Sequence, residues 1–352
     1  MTMLRPSFRP RSMSSLAISE GGRASFSACA ADAPIERLPV ERTEYHEPVM
    51  VTEVLATFAD CADGVIIDAT LGGGGHSARL LATMPTIRIL GIDRDPAARA
   101  QASAVLAPFA GRWMIAAATF ASIGDVVAAH QEWIAGAPVV GVLMDLGVSS
   151  HQLDEGSRGF SFRADAPLDM RMDPTTGLTA AQYIAQAEVH EFTRLLRENG
   201  EDRFAGAIAR SVLSALPTTT NELSAAVERA VPMAARRKGH VATRVFQALR
   251  IAVNNEMEQL ETGLEGALSV LADGGLLAVI SYHSGEDRLV KSTFHEWSTG
   301  GCTCSYALGC VCGAVPRAAV LRASSQLATA DEIARNPRAR SARYRVARKV
   351  PS

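Results

Sequence analysis

The segment that most constrains how this chain can fold is VIIDATLGGGGHS, residues 65–77, where an apolar run ending in an acid meets four consecutive glycines. An apolar run of that length, bounded by turn residues, reads as a strand buried on both faces. Glycines placed directly after it make a turn whose backbone can approach a ligand closely. The helix that follows aims its free N–H groups and positive dipole end at whatever anionic or polar group sits there. A second run, IRILGIDRD (87–95), again ends in acids, so the two strands and the helix between them make a βαβ unit.

The same pattern predicts a third strand around residues 113–117 and a fourth in VVGVLMDLG (139–147), giving a parallel sheet covered on both faces. Residues 151 to about 240 then lack long apolar strand runs and offer helical stretches such as AAQYIAQAEVHEFTRLLREN. The α/β pattern resumes with a helix over RVFQALRIAVNNEMEQL (244–260), the turn ADGG (272–275) and a strand in LLAVISYHS (276–284), with closing strands in AAVLRA and ARYRVAR. The expected organisation is therefore a discontinuous α/β domain, residues 45–151 and 241–352, interrupted by an inserted helical domain over 152–240. Residues 1–44 carry Arg5, Arg9, Arg11 and Arg23 and no acid before Glu20. That composition fits a disordered leader, a transit segment, or translation from a start upstream of Met13.

Composition narrows the function classes. With 35 Lys+Arg against 37 Asp+Glu the chain is close to neutral, so any affinity for nucleic acid must come from local basic patches. Only three of those cations are lysines, Lys238, Lys291 and Lys349, so a phosphate-binding face would be made of arginine forks. No run approaches the roughly 18 consecutive apolar residues of a membrane helix. Six cysteines in 352 residues make no disulfide scaffold. The expected compartment is a reducing one, the cytoplasm, or the mitochondrion if the leader is a transit peptide.

Glycine turns of this type serve dinucleotide, nucleotide and S-adenosylmethionine binders alike, and a P-loop is excluded because no Gly-Lys-Ser/Thr follows. Asp93, about 20 residues on at the tip of the second strand, stands where a carboxylate accepts both ribose hydroxyls, unless it merely caps the next helix. DLGVSSHQLD places Asp145, Ser149, Ser150, Gln152 and Asp154 at the rim of the sheet, where ligands of open α/β folds bind. In residues 158–173, Arg158, Arg163 and Arg171 alternate with Phe160 and Phe162 and with Asp165, Asp169 and Asp173. Such a mixture suits an unstacked nucleotide; a salt-bridged loop is the alternative. His283, just after the last apolar strand, is either a base or a loop-holding hydrogen-bond partner. Cys302, Cys304, Cys310 and Cys312 form C-x-C-x5-C-x-C, read as a structural zinc site or as reduced thiols in a loop.

HEPVM, DATLGGGGHS, GIDRDP, DLGVSSHQLD, RGFSF, LDMRMD, GEDRFA, ATRVFQALRIAVNNE, SYHSGEDR and NPRARSARYRVA follow one another from His46 almost to the C-terminus. In that order they resemble the RsmH/MraW methyltransferases, which use S-adenosylmethionine to methylate N4 of a cytidine in small-subunit ribosomal RNA. The resemblance implies a Rossmann-like methyltransferase sheet with an inserted recognition domain. It also implies cofactor contacts from Gly74, Gly75, His76, Asp93, Phe120, Asp145 and Gln152. The implied substrate is cytidine 1402 of 16S rRNA, in the decoding region of a nearly assembled small subunit. Gly285 stands where the family has Leu, and Tyr282 where Phe is usual.

On that footing Asp145 and Ser149 would orient the cytosine amine and Asp169 or Asp287 would accept its protons. Arg158, Arg163 and Arg171 would hold phosphates, with help from Arg335, Arg338, Arg340, Arg343, Arg345 and Arg348 in the tail, while Phe160 or Phe162 stacks on a base. Two rivals remain: a nicotinamide-dependent dehydrogenase, which leaves residues 145–173 unexplained, and a ribosome-assembly binding module with this fold and no turnover.

Overall fold

The computed structural model describes residues 48–147, 156–162, 164–201, 203–233, 241–304, 311–321 and 325–351. The expected leader lies outside the described residues. Five parallel strands, β1 (Val65–Asp68), β2 (Arg88–Ile92), β3 (Trp113–Ala116), β4 (Val139–Asp145) and β5 (Leu276–Ser281), form the body of one sheet. It continues through three closing strands, β6 (Ala318–Val320), β7 (Gln326–Leu327) and β8 (Arg343–Lys349), in the order β3-β2-β1-β4-β5-β8-β6, with β7 also on β8. β8 runs antiparallel to β5 and takes β6 and β7 antiparallel to itself. The predicted strands are all present, and the switch in strand order falls between β1 and β4.

The unbroken apolar runs are explained by two separate cores, one on each face of the sheet. On one side Ile67, Leu90, Val142 and Val279 meet Leu260, Leu264, Phe294 and Trp297 from helices Glu256–Val270 and Ser284–Thr299. On the other, Ile66, Ile89, Leu143 and Ile280 meet Phe58, Leu80, Ala102 and Leu106 from helices Val51–Phe58, Gly75–Thr83 and Pro96–Leu106. Alternate residues of each strand serve opposite cores, as a pleat with period two requires. Among the described residues no helix is long and apolar enough to cross a membrane.

Between β4 and β5 the chain makes a third core from helices Ala180–Gln186, Val189–Glu198, Ala205–Ala215 and Thr220–Ala230 around Phe192, Leu196, Ile208, Val212 and Leu223. Thr179 with Gln182, and Thr219 with Glu222, close capping boxes that start two of these helices. Two helices expected to be continuous are broken. The first breaks at Ala187 and Glu188, both extended, where Glu188 caps the next helix.

The second, expected over 244–260, is interrupted at Asn254 and Asn255, the latter in the left-handed region at φ 51°. Asn254 accepts from the Met172 N–H at 2.8 Å and donates to the Met170 carbonyl at 2.7 Å, tying the LDMRMD loop to the break. Helix Val241–Val253, assigned by sequence to the returning α/β segment, packs Val241, Val245, Phe246 and Leu249 into the third core. An amphipathic pattern fixes that a helix buries a face and leaves open which core receives it.

Candidate cofactor and active site

Gly72 and Gly74 have φ of +51° and +81°, a region that costs an L side chain strain, so the turn after β1 needs glycine at these positions. Gly74 caps the helix that starts at Gly75. The turn is fixed from β2: Asp93 Oδ2 accepts the Gly72 N–H at 2.8 Å, while Oδ1 accepts the Asp95 N–H at 2.8 Å. Each oxygen retains a second lone pair, which is what a ribose diol requires. Burial pushes the Asp93 carboxyl up to about 6, against the pull of those two N–H donors. Asp93 is thus both turn support and candidate diol acceptor; the cap of the next helix is Asp95, which accepts from the Ala97 N–H at 3.0 Å.

Asp145 ends β4 beside the switch point. Its Oδ1 accepts the Tyr282 hydroxyl at 2.7 Å, its Oδ2 lies 3.7 Å from His76 Nδ1, and its own N–H donates to Thr70 Oγ1 at 2.6 Å. His76 Nε2 donates to the Val49 carbonyl at 2.9 Å, so the imidazole faces the carboxylate with its other nitrogen. Asp68, at the end of β1, accepts the Ser77 hydroxyl at 2.6 Å on Oδ2, while Oδ1 is buried and has no hydrogen-bond partner among the described residues. Burial raises the Asp145 carboxyl to about 6, with the His76 ring and the Tyr282 hydroxyl pulling the other way, and burial likewise raises Asp68. Three carboxylates therefore end β1, β2 and β4 around one glycine turn. That donor set fits a ligand with a diol and a positive charge, since Asp93 can take hydroxyls and the Asp68–Asp145 pair can take a cation. Phe120 begins a short helical turn after β3 and packs against Gly263.

Tyr282 was noted in the sequence only as a departure from the family pattern, and its role is visible only in three dimensions. Its position directly after the last residue of β5 was the available signal, because side chains at parallel strand ends line the crevice. His283 has the loop-holding role: its Nδ1 accepts the N–H groups of Gly285 and Glu286 as the cap of helix Ser284–Thr299, and Nε2 pairs with Glu286 at 3.1 Å.

Other candidates are corrected. Asp287 holds Arg345 through two contacts, 2.8 and 3.2 Å, on the side facing β8, and is a structural ion pair rather than an amine acceptor. Asp169 is gripped at both oxygens by Arg171, each at 2.8 Å. Burial would raise that carboxyl, but the guanidinium and the Arg171 N–H bring it below the usual range. Arg158 donates to Asp95 with one nitrogen and to the Arg171 and Met172 carbonyls with another, so it clamps the loop to the start of helix Pro96–Leu106 instead of facing solvent. Phe160 is buried in the third core beneath that guanidinium. Phe162, 39 % exposed and edge-on to Phe246 at 5.2 Å, is the aromatic that remains open.

The tail arginines do not form one patch. Arg343 lies opposite Ser281 at the carboxylate edge of the sheet and Arg348 opposite Leu276 at the far edge. Ser149, Ser150, Gln152, Asp154, Arg163 and Cys310 lie outside the described residues. A cavity of about 640 Å³, lined by Asp60, Gly274, Gly275 and Arg348 among others, opens at that far edge and is remote from the carboxylates.

A family model described as the MraW methylase family matches residues 43–350. Similar curated proteins, each named ribosomal RNA small subunit methyltransferase H, include one from Symbiobacterium thermophilum, 46% identical over 87% of this chain and 97% of that one. Others come from Heliobacterium modesticaldum, at 45% over 87% and 99%, and Geobacter sulfurreducens, at 46% over 87% and 99%. Strand order, glycine turn and strand-end carboxylates thus coincide with a match along almost the whole described chain, and the protein belongs to the MraW methylase family.

Proposed function

We propose that this methyltransferase transfers a methyl group from S-adenosylmethionine to the exocyclic N4 of a cytidine in 16S rRNA, by resemblance cytidine 1402, within the small ribosomal subunit and in the cytoplasm. The observation that carries the reading is the set of carboxylates at the ends of β1, β2 and β4 around the glycine turn, in a chain whose relatives are named for small-subunit rRNA methylation. S-adenosylmethionine supplies an electrophilic methyl group on a sulfonium. Asp93 would hold the ribose, Phe120 would lie beside the adenine, and Asp68 and Asp145 would complement the positive charges at the methionine end.

The lone pair of a cytosine amine is delocalised into its ring, so rate depends on placing the nitrogen in line with the methyl group and on an acceptor for the amine hydrogens. Asp145 is the carboxylate suited to that work. It ends a central strand, and Tyr282 and Thr70 fix its orientation. Asp169 and Asp287 are already committed to arginines. The helical insert, with Phe162 exposed beside Phe246, would receive an unpaired or flipped nucleotide, because the deep, narrow major groove of A-form RNA cannot be read by side chains.

Mass mapping of 16S rRNA methylation in cells with and without this protein tests the assignment, together with methyl transfer to isolated small subunits by the wild type and Asp145→Asn. A missing methyl group at one cytidine, restored by the wild type only, is the expected result. Binding to small subunits without transfer would favour the assembly-module reading.

A further inference from the structure

Cys302, Cys304 and Cys312 place their sulfur atoms within 4.8 Å of one another. In a tetrahedral zinc–thiolate site, with Zn–S near 2.3 Å, sulfurs sit about 3.8 Å apart, so these three are already close to the edges of such a tetrahedron. Their loop lies between helix Ser284–Thr299 and β6. Gly300 closes the helix at φ +62°, and a Cβ there would strike the Val315 backbone at 2.5 Å, so the two ends of the loop touch. Arg317 N–H donates to the Trp297 carbonyl at 2.8 Å, and its guanidinium pairs with Glu265 over the Trp297 ring, fastening the base.

Above that base, the described residues from Gly301 to Arg317 include none that is buried, and Val311 and Val315 are 89% and 70% exposed. The described part of the loop buries no apolar side chain that could bring three thiols together, whereas a metal ion crosslinks them directly.

We propose that Cys302, Cys304 and Cys312 bind one zinc ion, which holds the loop in shape and takes no part in methyl transfer. Each thiol releases its proton to solvent on ligation. Cys310 lies outside the described residues, and the site argued is the three-thiolate one. Its position supports a structural role: helix Ser284–Thr299 starts at the carboxylate edge, after β5, and runs back along the sheet. The loop that follows therefore sits at the far edge, before β6, whose first residue Ala318 pairs with Lys349 at the end of β8.

The test uses the full chain purified without chelator. Elemental analysis should find about one zinc per chain. Cobalt(II) added to chelator-stripped, reduced protein should give the thiolate-to-cobalt charge-transfer absorption of a tetrahedral site, and Cys302→Ser, Cys304→Ser and Cys312→Ser should each lower metal content at least several-fold. Metal-free protein should be cleaved faster by protease within residues 301–316 while binding S-adenosylmethionine as before. Should the serine variants fail to fold, titrating the wild type with a mercurial reports zinc release as thiols react. Negligible zinc with no charge-transfer band, or isolation of these cysteines as a disulfide from protein made in a reducing cytoplasm, would overturn the proposal.

Discussion

The strand tips that carry the cofactor site and the arginine-rich loop over residues 158–173 are both dense in charge, yet they use it oppositely. At the strand tips Asp68 is buried and Asp93 and Asp145 are half-buried, with no arginine or lysine paired to any of them among the described contacts, and loss of solvent raises the carboxyl of each. In the loop, Arg158 and Arg171 spend their donors on Asp95, Asp169 and backbone carbonyls, Arg171 bracing the loop itself and Arg158 tying it to the start of helix Pro96–Leu106. Charge left underpaired in a crevice is available to a ligand; charge that is paired internally builds the wall of the crevice.

The sharpest way to break this contrast is Asp145→Asn. It should lower methyl transfer about 10³-fold, the scale of losing a positioned proton acceptor, and at the same time stabilise the fold. The Asp145 carboxyl sits at about 6 when folded, so whatever stability it lends is complete below its ordinary value of 3.8 and lost as pH rises through about 6. Asparagine, neutral throughout, should therefore be the more stable variant at pH 7.5 and gain nothing below pH 4. Chemical denaturation at the two pH values checks this, and a variant less stable at pH 7.5 would show that Asp145 is satisfied by the protein alone.

Arg158→Ala should do the reverse of a substrate-binding mutation. Removing one partner of a buried ion pair, side chains 14% and 3% exposed, should cost about 3 kcal/mol of stability. The slope of RNA affinity against salt should barely change, because no phosphate contact is lost. A slope reduced by about one with stability intact would return Arg158 to the RNA-binding face.

Asp93→Ala should weaken S-adenosylmethionine binding by about 2 kcal/mol, measured by calorimetry with circular dichroism as the folding control. In the wild type the affinity should fall as pH drops through about 6, since a ribose diol donates to the carboxylate and protonation removes that acceptor. Asp93→Asn should flatten that part of the profile, and an unchanged profile would place the titration elsewhere. The smallest effect is expected of Phe162→Ala: about 1 kcal/mol off RNA affinity, at the low end for a stacked base, with cofactor binding untouched.

These contrasts also mark where sequence reading stops. The strand–glycine–helix unit and the acid after β2 are local: buried apolar runs, φ values only glycine tolerates and a fixed spacing act within about 30 residues, so the sheet, its parallel sense and the position of Asp93 could be read in advance. Even the broken helix 244–260 carried a hint in Asn254–Asn255, though the loop that Asn254 ties down lies more than 80 residues away.

What tertiary structure alone decided is which charged and aromatic side chains remain open. Arg158, Phe160, Asp169 and Asp287 have the right chemistry for RNA or for catalysis, and each is claimed by a partner, a carbonyl or a core that no local pattern displays. Tyr282 is the converse case: it acquires its role only because β4 and β5 lie side by side and bring its hydroxyl to Asp145. Periodicity and backbone preference are properties of neighbours in the chain; the availability of a hydrogen-bonding group depends on neighbours in space, which only the folded chain selects.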